Sequence, residues 1–391
     1  MEKVKFNIPK IDRIIKLLGN VYSDPRDALS EFIVNSLDAN ATLIKIIINK
    51  GKKNKIIVQD NGVGMDYNEM VRVVKNIGNS IKLNPEELVK RSIDAKKVIG
   101  HMGIGILGYQ SFCKRAIFVS KSKTCKDIWS MQMEINDVEV KINKLEDKNL
   151  IIDQTGTTVI LEEISPEIMR IFNISFLNQY LQKNFSEILR TRKKIKIILK
   201  DRKTEVMVKP YPFSGIPFSK NFIYTKNSNL INLNIYIQPS GTNENLSIST
   251  KGKVVVKDII RLAEFQYSPW SDGILHGIIE ADFLKITPTR DNYIRDSNFY
   301  SFCEALKSIE AQLKEEIKKA KDAHLSQKRE DIINKLSKAV TKALRELELE
   351  GSKIKVKNSK GSEDIGLVTN DTIPHELGKN LEKKLIISSK E

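Results

Sequence analysis

Three polar side chains, Glu31, Asn35 and Asp38, stand at spacings of four and three in Ser-Glu-Phe-Ile-Val-Asn-Ser-Leu-Asp-Ala. On a helix those spacings put all three on one face. The intervening Phe32, Ile33, Val34 and Leu37 supply apolar surface for a core. A carboxylate, an amide and a second carboxylate on one face can hold a water and a hard cation. Glu31 is the candidate base that orients the water. Asn35, one turn on, offers a neutral oxygen to Mg²⁺, which otherwise keeps waters and phosphate oxygens as its ligands. A second segment, Asp60-Asn-Gly-Val-Gly-Met65, closes the strand-like run Lys55–Gln59. The Asp60 carboxylate can accept a hydrogen bond from an exocyclic amine, which would select adenine. Gly62 and Gly64 let a flat ligand approach the backbone, with Met65 beside it.

Two further segments supply donors for phosphate. Residues 99–109 read Ile-Gly-His-Met-Gly-Ile-Gly-Ile-Leu-Gly-Tyr. Gly100, Gly103, Gly105 and Gly108 expose backbone N–H groups close to a helix start, a setting that binds anions. His101, Met102 and Ile104 lie between these glycines and are carried to the phosphates by the same loop; His101 is read as a loop residue without proton chemistry. Lys82, in Gly-Asn-Ser-Ile-Lys, adds a cation at a terminal phosphate. Thr157, in Gly-Thr-Thr-Val, can bond an adenine edge directly or through water. Taken singly, each piece has a plainer explanation: an exposed helix face, a turn, a flexible loop. Their order along the chain, with strands between them, joins them into one constellation. It contains a base, a metal ligand and phosphate donors, the parts that nucleotide hydrolysis requires.

Helices and strands must position these groups. Asp27 or Ser30 is placed to cap the helix that bears Glu31. Thr42–Asn49 and Lys55–Gln59 read as strands joined by a Lys/Gly/Asn turn. Residues 66–99 read as helical with a break at 77–80, and 84–97 as a mobile loop or short exposed helix. Ala116–Ser120, Ile128–Met133 and Thr157–Leu161 read as strands, followed by a helical stretch over Pro166–Leu189. Further strands are expected near 195–200, 204–208, 232–238 and 253–256, in a second unit that opens with the basic run Arg190-Thr-Arg-Lys-Lys-Ile-Lys196. Residues 297–350 carry the Lys/Glu/Ala/Leu pattern of one or two long helices.

Composition bounds the function. A chain of 391 residues exceeds one ordinary core, so two or more domains are expected. No run of about 18 apolar residues marks a membrane span, and the N-terminus lacks the apolar stretch of a secretion signal. The three cysteines, Cys113, Cys125 and Cys303, lack metal-ligand spacing and are expected to be reduced thiols in a cytoplasmic protein. A net charge of +16 favours a polyanionic partner, although a Lys-, Ile- and Asn-rich composition yields the same excess without one.

In these motifs the chain resembles the GHKL ATPases: the type II topoisomerase ATPase subunits, the ninety-kilodalton heat-shock chaperone, the histidine kinases and MutL. Glu31-x-x-x-Asn35-x-x-Asp38-Ala39 resembles the superfamily's Asn-bearing helix. Asp60-x-Gly62-x-Gly64-Met65 resembles its adenine-binding turn, Gly100-x-x-Gly103-x-Gly105 its lid hinge and phosphate loop, and Gly156-Thr157 its last motif. The resemblance implies an α+β fold. A Bergerat sandwich, a mixed sheet with helices on one face, precedes an α/β transducer-like domain and C-terminal helices. The domains implied are 1–172 for ATP binding, 173–305 for the transducer, 306–350 for the long helices and 351–391 for a polar, disordered tail. The lid falls within 76–102. Its Gly78-Asn-Ser-Ile-Lys82 segment and the glycine loop look closer to the chaperone and to MORC-type ATPases. The Asn35 segment reads much like MutL, but the loop lacks MutL's Phe-Arg-Gly-Glu-Ala-Leu run. By the same resemblance, Arg290 in Ile-Thr-Pro-Thr-Arg reaches back to the terminal phosphate, with Lys285 as the weaker candidate.

The activity implied is hydrolysis of ATP to ADP and phosphate with Mg²⁺ as the cation. Catalysis is assigned to Glu31, Lys82 and Arg290. The output implied is an ATP-dependent homodimeric clamp, with residues 1–25 crossing to the partner. The basic segment 190–203 and the Lys-rich helices 314–344 would face duplex DNA, and a separate effector protein would act with the clamp. The competing output is a chaperone-like machine working on protein clients.

Overall fold

The computed structural model describes residues 15, 17, 21–51, 53–77, 99, 104–135, 137–147, 150–287 and 291–349. The chain divides into two compact units, Met1–Leu313 and Lys314–Glu391.

The first unit holds two sheets. The helix carrying the catalytic candidates, α1, runs Pro25–Asp38. Its N-cap is Asp24, whose side chain accepts the Arg26 N–H at 2.9 Å, with Pro25 at the first helical position, where its missing donor costs nothing. The expected caps, Asp27 and Ser30, lie inside the helix: the proline moves the start upstream, and the next carboxylate back takes the cap. Ala28, Leu29, Phe32, Ile33, Val34 and Leu37 are buried, so α1 is nearly surrounded by core.

Strands β1 (Leu43–Asn49) and β2 (Lys55–Asp60) pair antiparallel, each with alternate residues buried. Helix α2 (Tyr67–Lys75) follows, closed by an Asp66–Glu69 capping box. The helical reading of 66–99 therefore holds over 67–75, while residues 78–98 lie outside the described residues. Gly105–Ser111 forms a 3₁₀ segment leading into β3 (Arg115–Lys121), β4 (Ile128–Glu134), β5 (Lys141–Leu145) and β6 (Gly156–Glu162). Three helices come next: α3 (Pro166–Ile171), α4 (Ile174–Asn184) and α5 (Ser186–Thr191). The chain then returns as β7 (Lys196–Lys200) and β8 (Glu205–Met207).

These eight strands make one sheet in the order β5-β4-β3-β6-β2-β1-β7-β8, antiparallel except for the β1–β7 pair. Strands β7 and β8 were expected to open the second unit. They complete the first sheet instead, because Ile197 and Leu199 bury into the core that α1 fills and only β1 offers a free edge there. The first sheet thus reaches residue 207, beyond the boundary expected at 172.

The second sheet contains β9 (Ile216–Pro217), β10 (Phe222–Tyr224), β11 (Leu230–Ile237), β12 (Leu246–Thr250), β13 (Lys253–Val256) and β14 (Leu275–Glu280). Its order is β10-β11-β14-β12-β13, with β9 on β11 and a parallel β12–β14 pair. Helix α6 (Ser297–Lys307) starts at the Asp296 cap and buries Phe299, Phe302 and Leu306. The fold class is mixed α and β, as the resemblance implied.

Helix α7 spans Glu310–Leu349. In the second unit its side chains over 321–340 are almost all exposed, with a Lys319–Glu315 pair at 2.7 Å. Among the described residues no helix is long and apolar enough to cross a membrane.

Candidate active site

Asp60 ends β2, and two elements converge on its carboxylate. Oδ1 accepts the Gly62 N–H at 2.8 Å and the Thr157 N–H at 3.2 Å. Oδ2 accepts the Ser36 hydroxyl at 2.8 Å. The side chain is buried, and burial pushes its pKa up, while the donors from Gly62, Ser36 and Thr157 pull it down. A carboxylate offers about four lone-pair sites, so these three donors leave room for one more from a ligand amine. The pairing that delivers Thr157 is β2 on β6, where Gln59 faces Thr158 across the ladder.

Glycines let the backbone close around this carboxylate. A Cβ at Gly62 would come within 2.7 Å of the Ala39 carbonyl oxygen. At Gly156, with φ +140°, it would lie 2.0 Å from the Asp60 carbonyl oxygen. Asn61 staples the same turn to the start of β1, its side-chain oxygen accepting the Thr42 and Leu43 N–H groups at 2.9 and 2.8 Å. The Ser120 hydroxyl accepts the Met65 N–H at 2.8 Å and lies 2.8 Å from the Thr157 hydroxyl.

Along α1 the three aligned polar residues have different environments. Asp38 is buried, and its carboxylate accepts the Ile99 N–H at 2.8 Å, tying the start of the glycine-rich segment to the helix. Asn35 is half-buried. Its amide oxygen is a hard donor of the kind Mg²⁺ accepts alongside phosphate oxygens, so the donor set fits one protein ligand to a nucleotide-bound magnesium ion. Glu31 is buried, and Gly105 passes so close that a Cβ there would lie 2.8 Å from Glu31 Oε2. A lysine of the second sheet meets the same carboxylate: Lys253 Nζ donates to Glu31 Oε1 at 2.7 Å. Their side chains are 15% and 2% exposed, a pair shut away from bulk water.

Part of the chain is similar to known proteins. The family of histidine kinase-, DNA gyrase B-, and HSP90-like ATPases matches residues 22–160. Those residues form a GHKL ATPase domain. Relatives include the DNA mismatch repair protein MutL of Aquifex aeolicus, 27% identical over 199 residues, which are 51% of this chain and 41% of that protein. MutL of Aquifex pyrophilus is 28% identical over 198 residues, 51% of this chain and 41% of the relative. MutL of Thermotoga maritima is 30% identical over 146 residues, 37% of this chain and 26% of the relative. The match thus spans about two fifths of the length of the two Aquifex relatives.

Within the GHKL domain, the fold brings Asp60, Gly62 and Thr157 together at one end and sets Glu31 and Gly105 in contact at the other. Gly64, at φ +69°, packs against the Lys121 carbonyl, where a Cβ would come within 2.0 Å, and Ile104 is buried. Lys82, Gly100, His101, Met102, Gly103 and Arg290 lie outside the described residues. Lys285 pairs with Asp296 at 3.3 Å, on the cap of α6. Sequence reading missed three contributors: Ser36, Ser120 and Lys253. Ser36 had one available signal, a polar residue on the apolar side of an amphipathic helix. Ser120 and Lys253 had none.

Proposed function

We propose that this chain binds ATP with Mg²⁺, hydrolyses it to ADP and phosphate, and works as a nucleotide-gated dimeric clamp on duplex DNA. The observation that carries the hydrolytic part is the buried Glu31 carboxylate on the same helix face as Asn35, with a glycine backbone against it and a lysine from the second sheet on its oxygen.

In this reading Asp60 accepts the adenine amine at its remaining lone-pair site, which admits adenine and rejects a base bearing a carbonyl there. Asn35 holds the magnesium ion, which neutralises phosphate charge when bound. Glu31 orients a water toward the terminal phosphorus. The water oxygen forms the new P–O bond, the bond to the bridging oxygen breaks, and the water proton leaves through the Glu31 carboxylate or a phosphate oxygen. Lys82 and Arg290 add positive charge at the terminal phosphate, as the resemblance implies.

The DNA part draws on the relatives named as mismatch repair proteins and on charge. Lys193, Lys194, Arg202 and Lys203 of the basic segment are exposed, and the net charge is +16. ATP turnover measured with and without duplex DNA tests the proposal, together with DNA affinity across a salt series. DNA-stimulated turnover and affinity that falls steeply with salt are the expected results. No adenosine nucleotide uptake by calorimetry at millimolar magnesium overturns the ATPase reading. Salt-insensitive or absent DNA binding overturns the DNA part alone. Mass measurement with a non-hydrolysable ATP analogue tests the dimer.

A further inference from the structure

We infer that Lys253 is a positioning residue for Glu31, so that docking of the second sheet on α1 is a condition of ATP turnover. This inference rests on the ATPase reading above and assigns part of its control to the second sheet.

The placement of Lys253 is built into a hairpin. Thr250 pairs with Lys253, leaving Lys251 and Gly252 as the two-residue loop. Both have left-handed backbones, at φ +52° and +80°, the signature of a type I′ turn that matches strand twist. Gly252 is jammed against α5: a Cβ there would lie 2.5 Å from the Ile188 side chain. The loop therefore has little freedom, and the first residue of β13 leaves it aimed at α1. Lys251, on the other side of the turn, faces Asp282 and Asp38, and burial lowers its pKa.

A second contact repeats the docking one helical turn away. Lys257 Nζ donates to Asp27 Oδ2 at 2.9 Å. Asp27 and Glu31 are four apart on α1, as Lys253 and Lys257 are along the chain, so two lysines grip one helix face at two points. They differ in burial. The Lys257–Asp27 pair is 39% and 33% exposed, whereas the Lys253–Glu31 pair is nearly dry. A wet pair contributes little beyond docking. A dry pair carries a desolvation cost that its own attraction barely offsets, so it is weak as a stabilising device. What it does supply is direction. The ammonium holds one carboxylate oxygen and limits the rotamers of Glu31, whose other oxygen lies beside Gly105.

Lys253→Met, Lys253→Arg and Lys257→Met separate positioning from simple docking in the full chain. Lys253→Met is expected to lower kcat about tenfold or more while KM for ATP stays within about threefold. Lys253→Arg should recover most of the rate, and Lys257→Met should leave kcat within about twofold. Because Lys253 acts through Glu31, Lys253→Met in a Glu31→Gln background should cost nothing further. Should Lys253→Met fail to fold, Lys253→Arg and Lys253→Gln form the same comparison. An unchanged kcat in the Lys253 variants overturns the inference. So does an equal loss in Lys257→Met, or a further loss in the Glu31→Gln background. In those three cases the ATPase reading stands. Absence of turnover in the unaltered chain overturns both.

Discussion

The two ends of the candidate site are built differently. The adenine end is assembled within one sheet: Asp60 closes β2, Thr157 arrives on the paired β6, and Ser36 comes from the helix packed on that sheet. The hydrolytic end joins α1 to the second sheet, with Glu31 meeting Lys253. Hydrogen bonds between residues already held by strand pairing carry little additional ordering cost. An ion pair between α1 and the second sheet exists only while the two are docked. On the proposed function, nucleotide affinity is expected to be a property of the GHKL domain and turnover a property of the whole first unit.

The strongest test of that contrast is Glu31→Ala, which should retain ATP binding and lose about a thousandfold in kcat. Full turnover in this variant removes the water-orienting role. The converse is Asp60→Asn, which should raise the dissociation constant for ATP about a hundredfold by removing a charged acceptor that three protein donors and a ligand amine share. Calorimetry reads it directly, and an unchanged affinity would move the adenine elsewhere. Ser36→Ala sharpens the same point at smaller cost. It removes one donor to Asp60, about 1 kcal/mol, and should weaken ATP about fivefold with kcat intact.

The smallest effect concerns stability. Burial first, then the neighbouring Asp282 and Glu187 charges, push Glu280 up to about 7. Below about pH 4.5 Glu280 is protonated both folded and unfolded, and it costs nothing. As pH rises to about 7, the unfolded chain ionises freely while the folded chain resists, so folding stability falls across that window. Glu280→Gln should flatten this part of the profile in denaturant unfolding at pH 4.5 and 7.5. A parallel decline in both proteins would clear Glu280 of the effect.

Much of the cluster around Asp60 was readable in advance. Carboxylate, glycines and threonine lie in short segments whose residue types fit only a few backbone shapes. Gly62 and Gly156 stand where any side chain would strike backbone. The cap of α1 was misplaced by three residues at least, because Asp24, Asp27 and Ser30 are all competent caps and the proline at position 25 chooses among them. Strands β7 and β8 were recognised as strands but placed in the second unit, whereas they complete the first sheet. Alternation of Ile197 and Leu199 declares a buried face without saying which sheet edge lies beside it. Lys253 was invisible among 65 lysines and arginines.

The sequence alone determined that an acid, an amide and a second acid would share one helix face, and that a glycine-bent turn would follow the strand ending in Asp60. Both follow from fixed helical and strand periods and from the steric freedom that only glycine has. Tertiary structure alone decided which cation meets Glu31. That choice hangs on a two-residue turn pressed against a helix more than sixty positions earlier in the chain. Residue type says that a lysine carries charge; only the packing of one element on another says where the charge is delivered.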